Sequence, residues 1–175
     1  MTEAQLSNAM DAYGSTVYRL ALTRMQNIAD AEDVYQEVFL RLWKQAAEDW
    51  DGDRAKAWLI RTTLNRCADL HRFRLRRPVL SFAEIPDLAQ PEDESRELWE
   101  AVSRLPEKAR TAVHLYYAEG YSAEEISQLM HIPAATVRTR LHRARKQPKE
   151  LLGGIDDETC VSRSDGTTFG PQRAE

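Results

Sequence analysis

Leu6, Met10, Tyr13, Val17, Leu20, Arg24 and Ile28 recur at steps of three and four, which places them on one stripe of a helix. A second helix, "AEDVYQEVFLRLWKQ", follows Asp30, a residue suited to cap it, and carries acids in its first turn where the helix dipole favours them. In it Val34, Val38, Leu42 and Tyr35, Phe39, Trp43 form two adjacent i,i+4 rows, an apolar surface wide enough to pack on two sides. A third helix is expected from about Arg54 to Arg76. No strand-like alternation occurs in these segments, and Gly and Pro are sparse inside them.

The segment Pro78 to Glu94, "PVLSFAEIPDLAQPEDE", has three prolines, several acids and no periodicity. Proline removes a backbone donor and disfavours helix in the residue before it, so this segment reads as a linker. It divides the chain into two small helical domains, 1–77 and 95–152, with 78–94 between them. Beyond it, Leu98, Trp99, Val102 and Leu105 mark a short helix, and Pro106 suits the first turn of the next, "EKARTAVHLYYAEG", which ends at Gly120. Ser122 and Glu125 stand in capping-box spacing at the head of "SAEEISQLM". A turn, "HIP", leads to "AATVRTRLHRARKQ", with Ile126, Leu129, Ile132, Val137 and Leu141 available for one core. A capped helix, a brief turn and an Arg-rich helix make a helix-turn-helix candidate. The fold class is therefore all-α, two small helical domains joined by a flexible linker, the second a helix-turn-helix.

Composition narrows the class. The chain has 175 residues, 42% apolar and 30% charged, which suits a globular protein of one or two domains. No apolar run approaches the roughly 18 residues of a membrane span, and the first 25 residues lack a signal peptide's pattern, so a cytoplasmic location is expected. Cys67 and Cys160 are the two cysteines. Cys67 falls in a helical pattern as a small buried group, and no C-x-x-C or His/Cys cluster offers a metal site. "EDWDGDR" has some of the look of a calcium loop, but its glycine, Gly52, comes one place early and Ile60 stands where the bidentate glutamate belongs.

Charge changes the picture most. The net charge of −4 conceals two basic islands, +7 over residues 54–77 and +5 over 136–152, set against −6 over 1–53, −7 over 78–135 and −3 over 153–175. Two such islands in an acidic body point to a polyanion held at two places. In the second, Val137, Leu141 and Ala144 can face the core while Arg138, Arg140, Arg143 and Arg145 point elsewhere. Ala134, Ala135 and Thr136 are small enough for close backbone approach to DNA, Thr136 and Thr139 can bond phosphate or a base edge, and Arg138 can pair with guanine. In the first island, Arg61, Asn65, Asp69 and Arg72 step along one face and aromatics alternate with Arg, a pattern suited to opened or single-stranded DNA.

The order "DAEDVYQEVFLRLWK", "AWLIRTTLNRCADLHRFRLRR", linker, "LPEKARTAVHLYYAEGYSAEEISQLMHIPAATVRTRLHRARK" resembles a bacterial RNA polymerase sigma factor of the extracytoplasmic-function (ECF, group IV) type, which keeps regions 2 and 4 of the sigma-70 family. The resemblance covers about residues 6–152. It implies that region 2 opens and reads the −10 element and docks on the β′ clamp helices of core polymerase. Region 4 would read the −35 element and dock on the β flap. An anti-sigma factor is a further implied partner, with no direct membrane insertion, no cofactor, no metal and no catalytic activity. Residue by residue, it assigns core-polymerase binding to Asp33, Gln36, Glu37, Arg41 and Trp43. It assigns −10 DNA to Arg61, Asn65, Asp69, Arg72, Arg74, Arg76 and Arg77, with a flipped-base pocket at the loop Glu48–Asp53. It assigns −35 DNA to Ala135, Thr136, Arg138, Thr139 and Arg143. The sequence departs from the family at Ala135, often Gly, and at Ser127, often Ala; Pro148 is expected to stop the last helix.

Two rivals stand beside this reading. A two-domain helix-turn-helix regulator explains the second island but not the first, nor the wide apolar helix beside it. A metal-dependent nuclease using Glu32, Asp33 and Glu37 lacks a paired nucleophile and base, and those acids suit a helix N-terminus without metal. The tail 153–175, acidic and poor in large apolar groups, is expected to be disordered, either a passive chain end or one whose charge makes a transient contact with the basic helix in competition with DNA.

Overall fold

The computed structural model describes residues 1–45, 52–76 and 101–152, and among these every regular element is helical. Helix α1 spans Glu3–Met25, α2 Ile28–Lys44 and α3 Gly52–Arg76. Then come α4, Glu107–Val113, a π-helical turn at His114–Ala118, α5, Ala123–Met130, and α6, Ala134–Leu152. The linker 78–94, Arg77, positions 48–51 of the loop and the tail 153–175 lie outside the described residues.

Local chemistry sets most of the helix ends. Thr2 and Gln5 close a reciprocal capping box on α1, and Gln26 stops that helix in the left-handed region, its N–H donating to the Leu22 carbonyl. The cap of α2 is Asn27, not Asp30: the Asn27 side chain accepts the Asp30 N–H at 3.0 Å, and the helix begins at Ile28. Asp30 lies inside the first turn, buried, with an Arg74 ion pair to α3. Ser122 and Glu125 form the expected capping box on α5. Pro148 does not stop α6, which runs on to Leu152. A helix can carry a proline by giving up one i→i−4 hydrogen bond, here that of the Ala144 carbonyl.

Apolar side chains gather into two large clusters. In the first, Val17 and Ala21 of α1 meet Val34, Val38 and Leu42 of α2 and Leu59 and Cys67 of α3. Burial pushes the Cys67 thiol up to about 12, which fits its reading as a small core group. Gly14 lets α2 come close, since a Cβ there would stand 3.0 Å from the Tyr35 hydroxyl. In the second cluster, Leu20 of α1 and Ile60 and Leu64 of α3 pack with Ala112, Leu115, Ile126, Leu129, Val137 and Leu141 of the second half. Helices α1 and α3 thus bury two faces each, one toward α2 and one toward α4, α5 and the π turn. The anticipated helix-turn-helix core, Ile126, Leu129, Ile132, Val137 and Leu141, is part of this shared cluster.

Candidate polymerase and nucleic-acid surfaces

Helix α2 is amphipathic in a lopsided way. Val34, Val38 and Leu42 are fully buried and Phe39 nearly so, but the second row ends in solvent, with Trp43 41% exposed and Leu40 beside it 47% exposed. Asp33 and Gln36 are also exposed on this helix, and Glu37 holds Arg41 through an i,i+4 ion pair of 2.9 Å. The five residues assigned to polymerase binding therefore lie on one helix whose opposite side is satisfied. Leu40, which sequence reasoning passed over, joins Trp43 in an exposed apolar patch; its place one turn from Gln36 was the available signal.

Helix α3 presents Arg61, Asn65 and Arg72 to solvent, with Asp69 half-buried and paired to Arg72 at 2.6 Å. Arg74 is less available than the sequence suggested, because its guanidinium is tied to the buried Asp30 carboxylate across the α2–α3 contact. Arg76 ends α3, and its side chain lies outside the described residues. Of the loop 48–53, Gly52 and Asp53 are described, and the Gly52 carbonyl accepts from the Tyr13 hydroxyl at 3.0 Å.

The helix-turn-helix turn is tight. His131 adopts the left-handed conformation at φ 52°, and Pro133 precedes α6, its carbonyl accepting the Thr136 N–H at 2.9 Å. Val137, Leu141 and Ala144 face inward, as expected, while Ala135, Arg138, Thr139 and Arg143 are exposed and Thr136 is half-buried. The basic face is narrower than four arginines: Arg140 and Arg145 are half-buried, and desolvation lowers the Arg140 pKa. Thr139 donates back to the Ala135 carbonyl at 2.9 Å. Arg138 pairs with Glu124 of α5, a residue the sequence reading did not single out because the neighbouring Glu125 takes the capping role.

The chain matches the Sigma-70 region 2 family over residues 9–77 and the Sigma-70, region 4 family over residues 95–147. It is 31% identical over 155 residues to the ECF RNA polymerase sigma factor SigM of Bacillus subtilis, covering 83% of this chain and 94% of that protein. The chain belongs to the ECF sigma factors of the sigma-70 family. It is also 34% identical over 161 residues to the ECF sigma factor SigE of Mycolicibacterium smegmatis, covering 86% of this chain but 62% of that longer protein. Among solved structures, the sigma factor RpoE of Bartonella quintana, solved in complex with the anti-sigma factor NepR, shares the fold. There the TM-score is 0.70 at 24% identity, over 85% of this chain and 97% of that one. None of the helices among the described residues is long and apolar enough to cross a membrane.

Proposed function

We propose that this ECF sigma factor binds core RNA polymerase in the cytoplasm and directs promoter-specific initiation, without catalytic chemistry of its own. Helix α2 docks on the β′ clamp helices through Asp33, Gln36, Glu37, Arg41 and Trp43, and the second half docks on the β flap. Arg61, Asn65, Asp69 and Arg72 of α3 meet the −10 element and help open it. Ala135, Thr136, Arg138, Thr139 and Arg143 at the head of α6 read the −35 duplex. The division of the chain is region 2 at 1–77, linker at 78–94 and region 4 at 95–152. An anti-sigma protein is a natural partner, as it is for the Bartonella RpoE.

The observation that carries this reading is the exposed Leu40–Trp43 patch flanked by Asp33, Gln36 and Glu37. A DNA-binding regulator has no use for such a surface on the helix behind its basic face, whereas a subunit that must seat on polymerase does. Size-exclusion chromatography with core polymerase tests it. The wild-type chain co-elutes; the double reversal Asp33→Lys, Glu37→Lys and the single change Trp43→Ala each weaken the complex. A wild-type chain that elutes apart from core enzyme contradicts the proposal and returns the protein to the regulator reading. The two DNA roles separate in the same way: Arg138→Ala lowers −35 duplex affinity by about 1–3 kcal/mol with loss of sequence preference, while Asn65→Ala leaves that binding intact and impairs permanganate-detected opening.

A further inference from the structure

The Arg138 guanidinium pairs with the Glu124 carboxylate across the turn that joins α5 to α6, the two side chains being 62% and 58% exposed. Water screens an ion pair so open, and two long side chains lose rotamer freedom to make it, so it contributes little to stability. Holding the fold therefore gives no reason for an acid at this position.

The elements on either side fix where the two charges stand. Ser122 and Glu125 close the capping box of α5, which leaves Glu124 in the first turn, where the helix dipole favours negative charge. Ile126 and Leu129 of α5 share one buried cluster with Val137 and Leu141 of α6, which fixes the two helices against each other. Between them His131 holds its left-handed conformation and Pro133 its restricted φ. What stays free is the rotation of the Arg138 side chain, and the carboxylate limits it. The pairing still leaves the guanidinium able to read a base. One N–H of Nη2 serves Glu124, and four of the five donors remain, more than the two that a bidentate guanine contact takes.

We propose that Glu124 is a positioning residue for base reading: it aims the Arg138 guanidinium at a guanine edge and keeps it from neutralising phosphates. The proposal deepens the −35 assignment of α6 and rests on it. In helix-turn-helix docking the first helix crosses the phosphate backbone while the second enters the major groove. With α5 so placed, the Glu124 carboxylate faces a polyanion and stays compensated only while Arg138 is beside it. Cognate DNA leaves that pair intact, because guanine takes other donors of the same guanidinium. DNA without the guanine draws Arg138 off to a phosphate and strands the carboxylate. The acid thus lowers affinity for the wrong duplexes most, which is how an unpaired charge creates specificity.

The test uses the holoenzyme, this chain with core polymerase, and duplexes that the wild-type form selects from a random library. The guanine read by Arg138 is the position at which Arg138→Ala no longer discriminates. Fluorescence anisotropy gives the affinity for the selected duplex, for one with that guanine changed to adenine, and for unrelated DNA. Glu124→Gln lowers the preference for guanine about tenfold, on the scale of one bidentate base contact. It also tightens binding to unrelated DNA severalfold, a gain that shrinks as salt rises because it is electrostatic. In the Arg138→Ala background the same change leaves the preference where it was, since the acid acts through that arginine. The melting temperature stays as in wild type.

Preference retained in Glu124→Gln, or unrelated DNA bound no more tightly, overturns the proposal. A further loss of preference in the Arg138→Ala background overturns it too. So does a lowered melting temperature, which makes the acid a structural support of α5. A wild-type holoenzyme that selects no common sequence, or Arg138→Ala that keeps full preference at every position, overturns the reading role of Arg138 and the proposal with it. In every other outcome that role stands.

Discussion

The α1–α2–α3 core and the seam between the halves use the same kinds of apolar side chain but differ in how much charge stands at their rims, the first having the Asp30–Arg74 pair and the second several such groups. Val17, Val34, Val38, Leu42 and Leu59 are enclosed by further apolar groups such as Tyr18, Tyr35 and Trp58. Around Leu20, Ile60, Leu64 and Leu115 stand Arg24, Lys56, Glu107, Arg110, His114 and Glu119. Apolar burial is non-directional and hard to replace with water, whereas each charged partner regains hydration when the contact parts. The first arrangement suits a unit held mainly by packing; the second adds polar partners that fix one docked geometry.

Neighbouring residues on α3 offer the sharpest way to break this comparison, since Leu59 enters the first core and Ile60 the seam. Truncating either to Ala removes about 2–5 kcal/mol of packing. Leu59→Ala lowers the melting temperature of the α1–α3 unit and weakens polymerase binding with it. Ile60→Ala leaves that unit helical and separates its melting from that of the second half. Calorimetry distinguishes the two outcomes, and a single merged transition in both variants would erase the distinction between core and seam.

The next effect is one of pH. Burial holds the His114 pKa below the ordinary value of 6.5, with Glu119 drawing the proton on and Arg19 opposing it. A base whose folded pKa is depressed is bound neutral, so its contribution to docking is complete above pH 6.5 and is lost as pH falls through the lowered value. Acidification from pH 8 to 5 therefore weakens docking, read by calorimetry as separated melting of the two halves, and His114→Gln flattens that response. An unchanged slope in the variant would assign the pH effect to other groups.

Smallest is the loss of one rim hydrogen bond. Thr16→Val leaves Glu119 with Lys56 and weakens docking by about 0.5–1.5 kcal/mol, read as a small shift in the calorimetric transition of the second half. The matched change Thr63→Val inside α3, where the hydroxyl bonds the Leu59 carbonyl of the same helix, leaves that transition as it was.

Much of this architecture was legible in the chain itself. Periodicity located the helices, the Ser122–Glu125 spacing gave a true capping box, and Val137, Leu141 and Ala144 faced inward as their spacing required. Asp30 misled because an acid in the first turn looks like a cap, while the residue accepting the orphan N–H was Asn27, three places earlier. The seam was not legible. Leu20 and Ile60 satisfy the same helical spacing whether they face α2 or a segment some fifty or more residues away, and Arg110 and Glu119 read as surface charges until their partners on α1 and α3 are placed. Among the site residues, exposure of Asn65, Arg138 and Arg143 followed from helical phase, but the ties of Arg74 to Asp30 and Arg138 to Glu124 depend on contacts between helices.

The most direct test of the account is run-off transcription with purified core RNA polymerase on a genomic fragment library. Adding the protein should produce discrete transcripts from a small set of fragments that share upstream and downstream elements about 25 base pairs apart, the separation implied by their −35 and −10 positions. Trp43→Ala and Arg138→Ala should each reduce those transcripts. Core polymerase that gives the same transcripts with and without the protein would contradict the assignment.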